Sequence, residues 1–500
     1  MKYKKGIAIV LSVAAGICLG IFILNNVLEK KVAEFLSENF PNETLTYKTL
    51  DVNMLFSELE LCEIYFTSGN QKISTQKLEV NGIHFWQLLM DGKVEVQSIF
   101  IDKPQITYFK GAADSTEKET DTFKRNVEIH RLEIDDGHFA LFGKEGNRIF
   151  SVKRLDLEIN DIYLDGETLK RKIPFDYGKH FVKIENLFCD CDEYHNIQIA
   201  KFYFSNKKIR AKNLELLPKY SRPEFRKKVS HERDIYNLKI ASLSFDNPKF
   251  GFNAENLFFT STLLRIEGAD FKIYRDKTLP DDTRYKELYS EKLREAKLKL
   301  DIKNVEISES FIQYQERIKF DRSLGTVAFY DVNAEISNLT NRNLADENFP
   351  LTKVNVRAHF MNTTDLYVNW EFRVNDEDER FTISGNAGKI PPAAMNPFFV
   401  PAMQIKAKGN LDALYFNFGG NNIRGNGDLR VNYSDFKIEV LKKNGDKNKF
   451  LSAIANLFVK KSPKNGTVTT SGIAVVRDQT KSFWNYFWTL IEEGLLKSMT

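Results

Sequence analysis

Cys189, Cys191 and His195 stand in one short stretch, CDCDEYH, and thiolates beside an imidazole are the ligand types that hold zinc. Structural zinc sites usually separate paired cysteines by two or more residues and add a second Cys or His pair, and this chain has neither. The spacing therefore reads as a half-buried strand, with no metal expected. With Cys18 and Cys62 these are four cysteines, too few in a chain this long to make a disulfide framework.

Other chemistry is equally sparse. The histidines, at positions 84, 130, 138, 180, 195, 231 and 359, form no His-x-x-x-His pair, and no Gly-x-Ser-x-Gly elbow occurs. GGNNIRGNG at 419–427 has the glycines of a phosphate loop but lacks the Gly-Lys-Ser/Thr ending and a helix after it, so turns between strands are expected there. Asp102, Asp135 and Asp246 recur in similar surroundings, each where an Asp suits a turn. No enzyme and no cofactor is expected from these residues.

The recurrence of those aspartates leads to the elements that carry them. Four stretches share one pattern: VEVQSIFIDKPQITY at 94–108, VEIHRLEIDDGHFAL at 127–141, LKIASLSFDNPKFGF at 238–252 and LDIKNVEISESFIQY at 300–314. Apolar residues two apart predict strands buried on one face. In every copy the phase slips twice: once between Val96 and Ile99, as a bulge would make it, and again across Asp102 to Pro104, where a turn or kink fits. An irregularity that recurs marks a repeated β unit. Further strand-like stretches at 46–55, 58–67, 77–85, 152–164, 182–191 and 197–204 have short connections, which predict antiparallel neighbours. A basic, proline-containing stretch at 218–234 reads as a solvated loop, and 282–297 as an exposed helix.

The 500 residues carry 72 basic and 68 acidic side chains along their whole length, a balance that leaves no dominant field for nucleic acid. Residues 6–24 contain no charge and as a helix would span ~28 Å, the thickness of a bilayer core. Lys2, Lys4 and Lys5 precede them, so the expectation is an uncleaved anchor with its amino terminus in the cytoplasm and the bulk of the chain translocated. A helix is expected to continue from the anchor to Pro41. After Asn341 glycines punctuate longer strands, and 451–459 and 483–496 read as amphipathic helices. The second carries Trp484, Phe487 and Ile491 on its apolar face as expected anchors on a membrane, a protein partner or the protein's own sheet.

The order of these parts resembles the AsmA-like family of Gram-negative envelope proteins, AsmA, TamB and YhdP among them. The resemblance lies in the anchor and the strand unit at 94–108, in TVAFYDVNAEISNL at 326–339, and in GNAGKIPPAAMN at 385–396. It extends to GNLDALYF at 409–416, to 425–441, and to RDQTKSFWNYFWTLIEEG at 477–494. It implies an anchor (1–28), a repeated β region (29–340) and a carboxy-terminal β domain ending in amphipathic helices (341–500). The fold implied is mostly β: a transmembrane helix, then an elongated, curved antiparallel sheet forming a trough. The function implied is that of an inner-membrane-anchored periplasmic protein whose apolar β groove handles or transports phospholipid or another acyl-chain lipid for biogenesis or upkeep of the outer membrane. Outer-membrane or envelope proteins stand as further partners. In such a trough Ile99, Ile101, Leu132, Ile134, Leu243, Phe245, Val305 and Ile307 are the expected lining, two from each copy. The phase slip leaves Val96, Ile129, Ile240 and Ile302 as the alternative set. A second expectation is an assembly factor that binds partners by adding a strand to a free edge.

Overall fold

A computed structural model describes residues 44–53, 57–84, 93–111, 126–253, 256–441 and 465–499. The anchor expected at 6–24, the helix after it and the helix expected at 451–459 lie outside these residues. Among the described residues no helix is long and apolar enough to cross a membrane. The chain divides into two compact units, Met1–Asn213 and Leu214–Thr500. The change of texture after Asn341 falls within the second.

Unit 1 is built of β1 (Thr44–Thr46), β2 (Thr49–Asn53), β3 (Glu58–Ser68), β4 (Gln71–Ile83), β5 (Val94–Asp102), β6 (Gln105–Phe109), β7 (Val127–Phe142), β8 (Arg148–Leu164), β9 (His180–Asp190) and β10 (His195–Ser205). β1 and β2 pair with β3, and β3 to β4 and β4 to β5 and β6 are antiparallel, as are β7 to β8, β8 to β9 and β9 to β10. The exception lies at the repeats. β5 and β6, the first copy, run parallel to β7, the second, with Val94 facing Val127, Ile99 facing Leu132 and Ile101 facing Ile134. A parallel neighbour needs a crossover of a dozen or more residues, and 110–126 supplies it.

β11 (Lys208–Pro218) carries the chain into unit 2, where β12 (Asp234–Asp246), β13 (Lys249–Asn253), β14 (Asn256–Asp276), β15 (Lys299–Arg317) and β16 (Gly325–Thr340) come first. β12 and β13 are antiparallel to β14, β14 is parallel to β15, and β15 is antiparallel to β16. The third and fourth copies are thus separated by β14 and run in opposite senses, which their sequences do not reveal. The second crossover is 277–298. It contains only one short helix, α2 (Tyr289–Arg294), with Leu288 buried at its start, where an exposed helix was expected. The basic stretch before β12 likewise holds a helix, α1 (Arg222–Lys228), begun by a capping box between Ser221 and Glu224.

The rest of unit 2 is an antiparallel series: β17 (Thr352–Phe360), β18 (Thr364–Phe372), β19 (Phe381–Ala387), β20 (Ile405–Gly420), β21 (Arg424–Val440) and β22 (Asn465–Val476). The glycines at 419–427 make the turn from β20 to β21. Between β19 and β20 comes α3 (Pro392–Phe398), and α4 (Phe483–Met499) ends the chain.

The two phase slips have a common backbone cause. At the second, Lys103, Asp136, Asn247 and Glu309, one per copy, are left-handed, with φ of 48°, 51°, 50° and 49°. The residue after each, Pro104, Gly137, Pro248 or Ser310, is buried. At Gly137 a Cβ would meet Ile134 Cγ2 at 3.0 Å and Pro104 Cγ at 3.3 Å, so the position has room for little more than a backbone. At the first slip the left-handed residue lies across the ladder: Gly82, Asp161, Gly268 and Asn338 face Gln97, His130, Ala241 and Lys303, the equivalent residue of each copy. Ile83 faces Val96 and Asn81 faces Ser98, so the register is the same on both sides and no residue is inserted. What the sequence pattern suggests as a bulge is a step that both strands take together.

Candidate functional site

Because neighbouring strands step together at the first slip, residues before and after it stay on one face. Val96 and Ile99 therefore both lie in the buried cluster of unit 1, as do Val94, Ile101, Val127 and Ile129, with Leu132 and Ile134 packed against it. The two sets that the sequence offers as alternatives are a single face. Cross-strand partners extend it: Ile134, Leu157, Val182 and Phe204 form one row, and Phe139, Val152, Leu187 and Ile199 another.

In unit 2 Phe245, Leu264, Val305 and Ile336 make one row and Leu243, Ile266, Ile307 and Ala334 the next. The first continues through Val354, Trp370 and Ile383 to Phe418. The opposite face is charged. Arg131 bridges Glu133 (2.9 Å) and Glu158 (3.2 Å), Lys183 bridges Asp156 (3.1 Å) and Glu185 (3.2 Å), and Arg265 bridges Asp246 (2.7 Å) and Glu306 (3.0 Å). Ion pairs of this kind, some between strands and some between residues two apart on one strand, suit a solvated face. They also place Asp246, one of the recurrent aspartates, in an ion pair, while its backbone carbonyl accepts from Ser261 at 2.7 Å, as that of Asp102 does from Thr75 at 2.7 Å.

The apolar face is enclosed in some places and half-buried in others. Ile99 is 1% exposed, Ile101 and Val305 are buried, and Leu132, Ile134, Leu243, Phe245 and Ile307 are half-buried. The loop after β8 lays Leu169, Phe175 and Tyr177 on the unit 1 cluster. Far along unit 2, α4 supplies the cover: Phe483 stacks on Trp370 at 4.6 Å, Phe487 meets Phe416 at 5.3 Å edge-on, and Tyr486, Leu490 and Ile491 are buried. Gly494 lies so close to Ile473 and Leu429 that a Cβ would meet them at 2.8 and 3.0 Å. Of the three residues expected to anchor this helix, Phe487 and Ile491 thus pack on the protein's own core, and Trp484 is 54% exposed with its indole N–H donated to Tyr289 Oη at 3.0 Å. Among the described residues the two buried clusters take nothing from β9, β10 or β12 to β15.

One end of the unit 2 face is closed by charge. Asp234, Arg275 and Glu316 form its last row, after Tyr236, Ile273 and Tyr314. Asp234 accepts two hydrogen bonds from Arg275, both 2.7 Å. Burial opposes the Arg275 charge, but Asp234 more than offsets it and raises the pKa. Burial also pushes Tyr236 up to about 12, and Tyr314, beside Glu316, higher still. Both phenols are held neutral here and donate hydrogen bonds, Tyr236 to Asp234 at 3.4 Å and Tyr314 to Glu316 at 2.9 Å. The sequence gives no period that marks this row, because it lies beyond the repeated pattern in β12 and β15.

Cys189 is half-buried on β9, Cys191 is exposed, and His195 is buried with Nδ1 3.2 Å from both oxygens of Asp192. Among the described residues no group of three or more His, Cys, Asp and Glu side chains is placed to hold a metal ion. Comparison with protein-family models and with curated proteins finds no match to the chain.

Proposed function

We propose that this chain is an anchored protein of the cell envelope whose apolar face takes up the acyl chains of phospholipid. The observation that carries the reading is that face. Each unit has its own share of it, on which Val182, Leu187, Ile199 and Phe204 in unit 1 and Leu243, Phe245 and Ile307 in unit 2 are only half-buried, while Ile240, Ile302 and Val305 are buried. An apolar sheet face left partly open is costly in water unless another layer or an apolar ligand covers it. The charged row at Asp234, Arg275 and Glu316 would stop an acyl chain, and α4 occupies the face where a ligand would otherwise continue. The resemblance to AsmA-like proteins supports the same reading. So does the uncharged span at 6–24 behind three lysines, which would hold the amino terminus in the cytoplasm and the β units in the periplasm. In this role the protein hands lipid along its face for outer-membrane upkeep and needs no catalytic group.

The test is Phe245→Lys in the full chain, with thermal stability and extracted lipid measured on one sample. A lysine at this half-buried position can extend its ammonium to water, so the protein should fold and lose lipid. Ile99→Lys is the counterpart. At 1% exposure it strands a charge in a closed cluster and should unfold unit 1, at a cost of several kcal/mol. A wild-type chain that never carries lipid sinks the proposal. It would leave the second reading, partner binding by strand addition, which one feature favours: β22 has no charged residue and among the described residues pairs only with β21.

A further inference from the structure

Most arginines around the β14–β15 pair sit against a carboxylate: Arg265 against Asp246 (2.7 Å), Arg275 against Asp234 (2.7 Å), Arg226 against Asp276 (3.3 Å) and Arg284 against Asp282 (2.8 Å). Among the described residues no carboxylate pairs with Arg222 or Arg317. The Arg222 guanidinium lies 4.0 Å from the centroid of the Tyr274 ring, and Arg317 donates from Nε to the hydroxyl of the same tyrosine at 3.2 Å. Tyr274 is 6% exposed, so one fixed ring holds both cations. Arg222 is further oriented by a hydrogen bond to Gln315 Oε1 (2.8 Å), and Arg317 by the face of Phe320, at 5.5 Å from its centroid. Arg226 reaches that same face at 5.1 Å.

We propose that Arg222 and Arg317 form a binding site for a phosphate group, a phosphomonoester or phosphodiester held between the two guanidinium forks. Like charges set side by side on one ring repel, and no carboxylate among the described residues neutralises either of them. The acids nearby are engaged elsewhere: Glu224 accepts from Ser221 (2.6 and 2.9 Å), Glu316 accepts from Tyr314 (2.9 Å) and faces Lys277 (3.5 Å), and Asp276 accepts from Thr278. Partial desolvation against the Tyr274 ring, together with the charge of Arg317, holds the Arg222 pKa below the ordinary arginine value although the side chain keeps an exposed edge. An anion relieves both effects. Each guanidinium has five N–H donors and has committed few of them, and the planar fork suits the paired oxygens of phosphate. The site stands whether or not the apolar face carries lipid, because its ligand is the anion and not the acyl chain.

The ligand is either the headgroup of a phospholipid or a soluble phosphate compound, and two probes separate them. The full chain is titrated with inorganic phosphate and with short-chain dihexanoyl phosphatidylglycerol, and the rise in its thermal transition is read in each case. A rise with phosphate that is lost in the double variant Arg222→Gln/Arg317→Gln assigns a soluble ligand. A rise with the lipid alone, lost in the same variant, assigns a headgroup. Each single replacement should weaken binding about tenfold or more, and Arg222→Lys, which keeps the charge and loses the fork, should fall between. A wild type that responds to neither probe overturns the proposal. So does a double variant that melts like the wild type without ligand and still responds equally. If the double variant does not fold, Arg222→Ala, at an exposed side chain, decides by the same readout.

Discussion

His180, at the first position of β9, has its ring 5.4 Å from that of Tyr177 and 4.4 Å from that of Phe204, and among the described residues neither ring nitrogen has a hydrogen-bond partner of normal geometry. Burial lowers its pKa against a smaller opposing pull from the Gly178 backbone. Near pH 6.5, the ordinary imidazole range, the unfolded chain therefore binds a proton that the folded chain refuses. Stability from this site is complete above that range, declines as pH falls through it, and levels off below the depressed folded value. His180→Phe should flatten this part of the pH dependence in thermal melts taken from about pH 7 to about pH 5. An unchanged slope would mean that the ring is solvated in the folded protein. The residue was visible in the sequence only as one histidine among seven, since nothing in its neighbours announces an aromatic pocket that a loop and two strands build together.

At the scale of the element, the repeat was legible and the way it pairs was not. Alternation and its two slips could be read from Val94 to Tyr108 because a face and a backbone step both leave a trace in residue type. Antiparallel pairing, expected from short connections, holds for most neighbours and fails between β5–β6 and β7 and between β14 and β15, since a parallel neighbour shows in the sequence only as a longer gap between strands. The helix α1 was missed although Ser221 and Glu224 have capping-box spacing, because Pro223 and the run of basic residues suggested a loop. The steps themselves can be tested. Gly82 has φ of +66°, and a Cβ there would meet Gln97 Cβ at 2.4 Å. Gly82→Ala should therefore cost about 1–3 kcal/mol in urea unfolding. Asn247, left-handed without being glycine, should accept Gly with a change within about 1 kcal/mol and lose about 1–3 kcal/mol on conversion to Val. If Gly82→Ala proves neutral, the step is not fixed by that residue.

For the whole molecule, the decisive feature is what covers the apolar face and where. Removal of everything after Arg477 takes away Phe483, Tyr486 and Leu490, which are 3%, 2% and 0% exposed, so it uncovers Trp370, Phe381 and Phe416 at once. The truncated chain should lose hydrogen-exchange protection across β18 to β22 while β3 to β8 of unit 1 keep theirs. Retained protection in β18 to β22 would show that α4 is an accessory. The sequence marked this helix by its aromatic stripe but could not say which surface receives it, because an amphipathic helix looks alike whether it meets its own sheet, a partner or a lipid surface. The parallel pairing of the first two copies has one more consequence, which concerns ancestry. A strand unit that lies in register beside its own duplicate presents, at its far edge, the same steps by which it was received. A tandem duplication of such a unit with its crossover would meet no new packing problem, so the first two copies are placed as a duplication would leave them.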